Sequence, residues 1–390
     1  MSLNLDKSTW KRVAFGDVIE SVTDRVDNPS EANVDRYVGL EHLDPGVMTV
    51  QRWDTPDKVE AQKLRFQPGD VIFGRRRAYQ KKVALAEFEG ICSAHALVLR
   101  ARPDYVHPDF LPVFLSSDYF LDRAIAISVG SLSPTVNWRD LTVQEFDLPP
   151  LDEQKRLARL MWAVERERQA QAVLRERAVA VRKVHLHDRM SAIASSSGTV
   201  PLDALIEADR PVTYGILMPG SGHPGGVPVV KVKDFPHGRI NETDLLLTTP
   251  ELAHEYRRST LRPGDLLISI RGTVGRLAEV PQSLAGANIT QDTARLSIAP
   301  EHDRQYVRLV LESEFAHSQI RKQVTGLAVK GLNIGALRKL KVPVPSDSQY
   351  ERSLVRESAV ISAGIAHLEE TLSFLAKLRS SLLADVFGGN

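Results

Sequence analysis

Phe66-Gln67-Pro68-Gly69-Asp70-Val71-Ile72-Phe73 returns 195 residues later as Leu261-Arg262-Pro263-Gly264-Asp265-Leu266-Leu267-Ile268. The offset is half of the 390-residue chain. In each copy proline presets φ, glycine tolerates positive φ, and an apolar run follows, so each predicts a turn feeding a strand. The recurrence extends outward. Val129-Gly130 with Asn137 and Leu141 returns as Thr325-Gly326 with Asn333 and Leu337, 196 residues on. Leu148-Pro149-Pro150 and Val342-Pro343-Val344-Pro345 each open a helix-like stretch, and Gln154 and Gln349 follow them. A duplication this long implies two copies of one structural unit related by a pseudo-twofold axis. Two similar surfaces suit a two-part target, of which DNA is the commonest long example.

Between the repeated landmarks the chain changes character twice. Residues 8–148 and 199–343 mix short strand-like runs with Pro, Gly and Asp turn clusters. Strands are expected at 70–73, 96–99, 229–232 and 266–270, and helices at 109–127 and 303–324. Residues 151–194 hold no glycine or proline, and Leu157, Leu160, Val164, Leu174, Ala178 and Val181 recur at helical spacing. Pro149-Pro150 suits the helix entry and Asp152-Glu153 suits its positive N-terminal end. Ser195-Ser196-Ser197-Gly198 reads as a linker. A second helix over 348–387 has a cleaner stripe of Ile361, Ile365, Leu368, Leu372, Leu375, Leu378, Leu382 and Val386.

Helices of this length span about 60 Å and cannot bury such stripes alone, so the two are expected to pair as an antiparallel coiled coil. The expected fold is α+β, with two duplicated mixed domains joined by two long antiparallel helices. Its bounds are 1–148 for the first domain, 149–195 for the first helix, 196–345 for the second domain and 346–390 for the second helix.

Fifty Lys and Arg against forty-nine Asp and Glu leave a net charge of only +1, so any phosphate-facing surface must come from local segregation. Apolar content of 43% and charged content of 25% are ordinary for a soluble globular chain. Cys92 is the single cysteine and lies in an apolar run, which fits an inert side chain and a reducing compartment. The N-terminus has no signal-peptide character, and no run approaches ~20 consecutive apolar residues, so a cytoplasmic, non-membrane protein is expected.

Charge is segregated where the repeats predict it. Residues 63–82 carry Lys63, Arg65, Arg75, Arg76, Arg77, Lys81 and Lys82 against the one acid Asp70. The corresponding place in the second half has Arg271 and Arg276 around Gly272-Thr273-Val274-Gly275, and residues 321–341 hold six basic residues and no acid. A single basic run is more often a solvated face; similar runs at equivalent places in both halves favour contact with phosphates or guanines. The candidate DNA-binding residues are Arg75, Arg76, Arg77, Tyr79, Lys81, Lys82, Asn137, Arg271, Thr273, Arg276, Lys330 and Asn333. The candidate partner-binding residues are Ile361, Ile365, Leu368, Leu372, Leu375 and Leu382.

Other motifs are weak. Gly220-Ser221-Gly222-His223-Pro224-Gly225 fits G-x-G-x-x-G by letter, but prolines and a strand-like run follow instead of a helix. Glu153-Gln154-Lys155 ends like a nuclease motif without a spaced acidic partner. His185 and His187 are two apart on a helix and point apart. No Walker loop, nucleophile elbow, metal cluster or catalytic carboxylate pair is evident, which favours binding over catalysis.

The order of domain, long helix, domain, long helix resembles the specificity subunit of type I restriction–modification systems. The resemblance covers essentially the whole chain. It rests on Phe66–Phe73 with Leu261–Ile268, Leu148–Gln154 with Val342–Gln349, and the C-terminal run Leu378–Phe387. It implies two target recognition domains, each reading half of an asymmetric bipartite double-stranded DNA site. It also implies helices that set the spacer and dock two methyltransferase subunits, through which restriction subunits join. S-adenosylmethionine, ATP and Mg would then reside in those partners, with no cofactor, metal or catalytic residue here. The remaining readings are a duplicated protein–protein scaffold that does not bind DNA, an enzyme with an unrecognised cleft, and a methylation-only system.

Overall fold

The structure is a computed structural model that describes residues 5–236, 238–324 and 331–388. It divides into two compact units, Met1–Val173 with Leu368–Asn390, and Leu174–His367. The first long helix, Leu151–Ser197, begins in the first unit and ends in the second; the other, Ser348–Phe387, does the reverse.

In the first unit, Ile19–Val22, Leu97–Ala101, Val71–Phe73 and Val83–Leu85 form an antiparallel sheet in that order. A second sheet runs Arg25–Val26, Lys63–Phe66, Gly90–Ser93, Tyr37–Val38, and its last pair is parallel. Lys11–Ala14 pairs with Glu145–Leu148 and closes the domain beside the long helix. The second unit repeats the plan. Thr213–Tyr214, Thr293–Leu296, Leu266–Ser269 and Leu277–Glu279 form the antiparallel sheet. Leu246–Thr248, Val227–Val230 and Asn288–Ile289 form the other, again with one parallel pair. Thr199–Pro201 closes on Lys341–Pro343. The α+β class and the duplication are thus present in the strand order itself.

The repeated Pro-Gly-Asp turn has one physical job in both units. Gly69 and Gly264 sit at φ +94° and +88°, and each amide donates across to the next strand, to Ala86 O and Val280 O. The Asp70 carboxylate accepts from Gln67 N at 2.8 Å, and Asp265 accepts from Arg262 N at 2.7 Å, so each carboxylate closes its own turn. Each also meets an arginine, one from the neighbouring strand and the other from a loop. Arg100 grips Asp70 through two bonds of 2.7 and 2.9 Å. Arg210 grips Asp265 at 2.8 and 2.9 Å, and Ser297 adds a third donor at 2.7 Å. Arg295, the positional counterpart of Arg100, lies behind this pair. Burial, and then the neighbouring Arg210, push its pKa down to about 10.

Helices differ from expectation in an informative way. The stretch 109–127 splits into Leu111–Leu115 and Asp118–Ala126, and 303–324 splits into Arg304–Glu312 and Glu314–Gln323. The breaks fall at Ser117 and Ser313, 196 apart, each an N-cap whose hydroxyl accepts the amide of Phe120 or Ala316. A capping serine stabilises a new helix start more than it continues an old one. Ser195–Ser197, expected as linker, are instead helical. Ser195 and Ser196 donate back to Ser191 O and Ile193 O, and the helix stops at Gly198 with φ +82°.

The long helices supply part of each core. In the first unit Leu157, Ala158, Met161 and Val164 join Leu375, Leu382, Val386 and Phe387 around a cluster containing Phe15, Phe114, Phe120 and Phe146. Phe114 and Phe146 meet edge-on at 5.1 Å, the preferred aromatic arrangement. In the second unit Leu186, Met190 and Ile193 share a core with Leu354. The start of one helix meeting the end of the other in each unit is the antiparallel pairing expected. The first helix buries a different register from its expected stripe, because Leu160, Leu174 and Val181 are exposed.

Ser348–Phe387 is the one described helix long and apolar enough, by length and composition, to cross a membrane, with an 18-residue window of mean hydropathy 1.2. It holds no unbroken apolar run of that length; Ile, Leu, Val, Phe and Ala spaced between polar residues raise the average.

Asp265→Asn should destabilise the intact protein by about 3 kcal/mol, since it leaves Arg210, 7% exposed, without its paired carboxylate. Asp70→Asn should cost less, because the Arg100 side chain is 39% exposed. Thermal unfolding of both variants checks the order.

Candidate nucleic-acid interface

The strand Val71–Phe73 ends at Gly74, and the chain then turns through Arg75, Arg76 and Arg77 into a short 3-10 turn, Ala78–Gln80. Two backbone strains hold this loop: Arg77 and Lys81 both lie in the left-handed region, at φ 58° and 52°. A second loop, residues 128–136, packs on it. Val136 N donates to Arg75 O at 2.9 Å, Arg77 N donates to Pro134 O at 2.6 Å, and Arg76 bridges Thr135. The described residues of the second unit repeat two of these contacts. Leu332 N donates to Ile270 O at 2.8 Å, and Arg271 bridges Gly331. Both pairs of contacts join landmarks that recur in the sequence.

The side chains in the first cradle divide into used and unused cations. Lys81 Nζ lies 2.5 Å from Asp118, and Lys82 Nζ donates to Leu40 O at 2.5 Å. Arg76 meets only neutral groups, His95 Nε2 at 3.3 Å and Ser133 Oγ at 3.5 Å. Arg77 Nε donates to Ser133 Oγ at 3.2 Å. The Arg75 Nε is buried without a hydrogen-bond partner. Among the described residues no carboxylate lies within ion-pair distance of Arg75, Arg76 or Arg77. Burial, then Arg76, Arg75 and Lys63, lower the His95 pKa, so its ring stays neutral and can accept from Arg76. Tyr79 is exposed beside them.

Other members of the basic run turn away. Lys63 is buried, with Nζ on Ala61 O, and burial lowers its pKa. Arg65 donates to Ala32 O at 2.6 Å. Asn137 and Asn333 both stand at N-caps, of Trp138–Thr142 and Ile334–Arg338. The Asn333 oxygen accepts from Ala336 N at 2.7 Å, and Asn137 Nδ2 donates to Asp140 at 3.1 Å. Asn333 thus has a capping account, while Asn137 holds the same N-cap position without a side-chain bond to the helix backbone.

In the second cradle Arg271 is exposed, 3.9 Å from Asp292, and Thr273 is exposed with its carbonyl accepting from Ser269 Oγ at 2.5 Å. Arg276 is half-buried and lines a cavity of about 470 Å³ with Arg182, Arg308, His317 and Glu312. Lys330 and the Thr325-Gly326 landmark lie outside the described residues. Of the remaining basic run, Arg321 pairs with Glu314, and Arg338 grips Asp203 through two bonds of 2.7 Å. Gly220, Gly222 and Gly225 all take positive φ in a loop that runs into the strand Val227–Val230, so no dinucleotide fold follows them.

The helix residues proposed for partners split. Ile361, Ile365, Leu368 and Leu372 are half-buried. Leu375 and Leu382 are buried in the core of the first unit, so their side chains are spent on the chain's own fold. Sequence reasoning passed over Val360 and Phe374, both large and exposed, because they lie off the stripe's period. The repeated glutamines also part ways. Gln154 is buried and bonded to His107 N, Tyr105 O and Pro149 O, whereas Gln349 is exposed. Among the described residues no group of three His, Cys, Asp or Glu side chains is placed to hold a metal.

Part of the chain is similar to known proteins of one family. Residues 7–175 match the type I restriction modification DNA specificity domain. The specificity subunit of the type I restriction enzyme EcoBI of Escherichia coli is 28% identical over 216 residues, 53% of this chain and 44% of that protein. That of EcoDI, also from Escherichia coli, is 25% identical over 154 residues, 39% of this chain and 34% of that protein. The chain thus aligns with less than half the length of these relatives. Two solved structures share the fold nearly end to end. A chain from a study of complex assembly and conformational transition of the type I R-M system has a TM-score of 0.62 at 22% identity, covering 98% of both chains. The type I restriction–modification system S subunit from M. genitalium has a TM-score of 0.60 at 14% identity, covering 100% of this chain and 99% of that one.

Arg76→Ala should raise the His95 pKa part of the way toward the ordinary 6.5, with burial holding back the rest. An NMR titration of the imidazole in both proteins measures it.

Proposed function

We propose that this chain, a member of the type I restriction–modification specificity-subunit family, reads a bipartite DNA sequence and presents it to partner subunits. One observation carries the reading beyond the family likeness. One backbone bond and one bridge beyond the repeated strand recur in both units, Val136 N to Arg75 O with Leu332 N to Ile270 O, and Arg76 to Thr135 with Arg271 to Gly331, beside different exposed side chains. Conserved geometry with divergent tips is what two readers of two unlike half-sites require.

Recognition divides between two kinds of contact. Cations without internal counter-ions, Arg75, Arg76 and Arg77, are available to phosphates or to a guanine edge. Lys81 is already neutralised by Asp118 and contributes less. In the second unit Arg271, Thr273 and Arg276 take the corresponding place, with the exposed Gly272 leaving the backbone open to close approach. The chain supplies positioning and specificity. Two methyltransferase subunits, docked along the long helices, would bring S-adenosylmethionine and the adenine chemistry; restriction subunits joined through them would bring ATP and Mg. The half-buried and exposed apolar residues in the middle of Ser348–Phe387 are the surface offered to them. The setting is the cytoplasm, where chromosomal DNA and these partners meet.

The test is a map of modified adenines in cells that express this chain with its methyltransferase subunit. The expected result is a motif of two unlike halves separated by a fixed spacer. Arg271→Ala should relax a position in one half only if it touches a base, at a cost of ~1–3 kcal/mol. Arg77→Ala should weaken all sequences alike and reduce the salt slope by about one if it touches phosphate, with Lys81→Ala smaller. Absence of any methylation, with the two proteins co-purifying and the cofactor bound, overturns the reading.

A further inference from the structure

Residues 128–136, packed on the arginine loop, carry two exposed apolar side chains, Val129 and, at the hairpin tip, Leu132. Leu132 is 90% exposed. An isolated surface leucine is ordinary and by itself says nothing. Its loop is not ordinary. Val129 N and Thr135 O, and Thr135 N and Val129 O, bond at 3.0 and 2.9 Å and close a hairpin around it. Gly130 turns the chain at φ +114°, and Thr135 Oγ1 donates to Ser133 O at 3.1 Å. The tip is then tied sideways to the arginine loop, by Arg77 N on Pro134 O at 2.6 Å and by Arg77 Nε on Ser133 Oγ at 3.2 Å. The hairpin that carries the leucine is therefore anchored to the arginine loop, where Arg76 and Arg77 meet no carboxylate among the described residues.

A loop whose shape is set before binding loses little entropy on contact, so an apolar group there contributes nearly its full transfer energy. With the neighbouring arginines on phosphates, as argued above, an exposed apolar group on the adjoining hairpin would meet the base edges in the groove. The apolar group that the major groove displays is the thymine C5 methyl. Resting on the DNA-reading role argued above, we propose that Leu132 is a specificity residue of the first unit, packing on a thymine methyl in the half-site which that unit reads. The arginines would fix register on the backbone, and Leu132 would supply base discrimination that hydrogen-bond donors cannot.

The experiment uses the chain assembled with its methyltransferase subunit and duplexes carrying the motif found by methylation mapping. Each thymine is replaced in turn by uracil, which removes only the methyl group. With the wild-type chain, one position in one half-site should lose roughly four-fold in affinity, the value of one buried methyl. With Leu132→Ala that position should become indifferent to the methyl, while the salt slope and the other half-site stay unchanged. Thermal unfolding of Leu132→Ala should match wild type, because the side chain contributes nothing to the core. If no uracil replacement weakens the wild type, or if Leu132→Ala retains the same loss at the same thymine, the assignment is wrong while specific binding still stands. If the wild-type assembly does not prefer its mapped motif at all, the DNA-reading role fails with it.

Discussion

The carboxylate of the Pro-Gly-Asp turn is the constraint on which the rest of each unit depends. Asp70 and Asp265 each close the turn before the central strand and clamp it to an arginine. The strand that follows is buried on both faces, and its far end releases the loop that carries the exposed cations. Fixing the near end of a three- or four-residue strand fixes the far end, since a slip of one residue would put every side chain on the wrong face. The loop geometry is thus set about three residues away, by a bond that never touches a ligand. The clamp is built differently in the two halves. Arg100 serves in the first; in the second Arg210 has taken the aspartate and Arg295 is left buried behind it. The position of the turn is kept while its partner changes, as in two copies diverging around a common requirement.

That clamp explains why the fold was legible in the sequence. A Pro-Gly-Asp turn needs specific residues, because positive φ and a closing carboxylate are demanding, so it survives as a readable motif in both halves. The strands after it were placed to within a residue or two, and the α+β class and duplication followed. The long helices were readable from their period, and their pairing from the length of stripe each had to bury. Their register was not. Over more than forty residues the difference between a 3.5 and a 3.6 repeat rotates the buried face, and Leu160, Leu174 and Val181 drift into solvent while Met161, Leu186 and Met190 turn inward. The breaks at Ser117 and Ser313 were also missed, because a serine inside a helical pattern is only a cap if the chain bends there.

The interface was legible as a place and only partly as a residue set. The cluster Arg75–Arg77 stood out because three adjacent cations are rare, and those residues prove to lack internal carboxylates. Lys81 and Lys82 looked equivalent by charge, yet one is paired and the other capped by a carbonyl, which depends on Asp118 and Leu40 arriving from other parts of the chain. Lys63, equally basic, is folded inward. Asn137 and Asn333 recurred for a reason the sequence could not separate from recognition, since an N-cap asparagine and a base-reading asparagine look alike until the following helix is seen.

A chain with net charge +1 can still present a cationic surface because ion pairs are distributed unevenly. Arg100, Arg168, Arg210, Arg308 and Arg338 each lie against a carboxylate and carry little external field. Arg76 and Arg77 lie against hydroxyl, imidazole and carbonyl groups, which orient a guanidinium without cancelling it. A neutral hydrogen-bond partner restricts the side chain and leaves the charge for a phosphate, whose counter-ions are then released on binding. Had these arginines been paired with aspartates, binding DNA would first require breaking those pairs, and the gain would fall by about what each pair is worth. Among the described residues, the acids facing Arg100, Arg168, Arg210, Arg308 and Arg338 pair with them inside each unit, and none pairs with Arg75, Arg76 or Arg77.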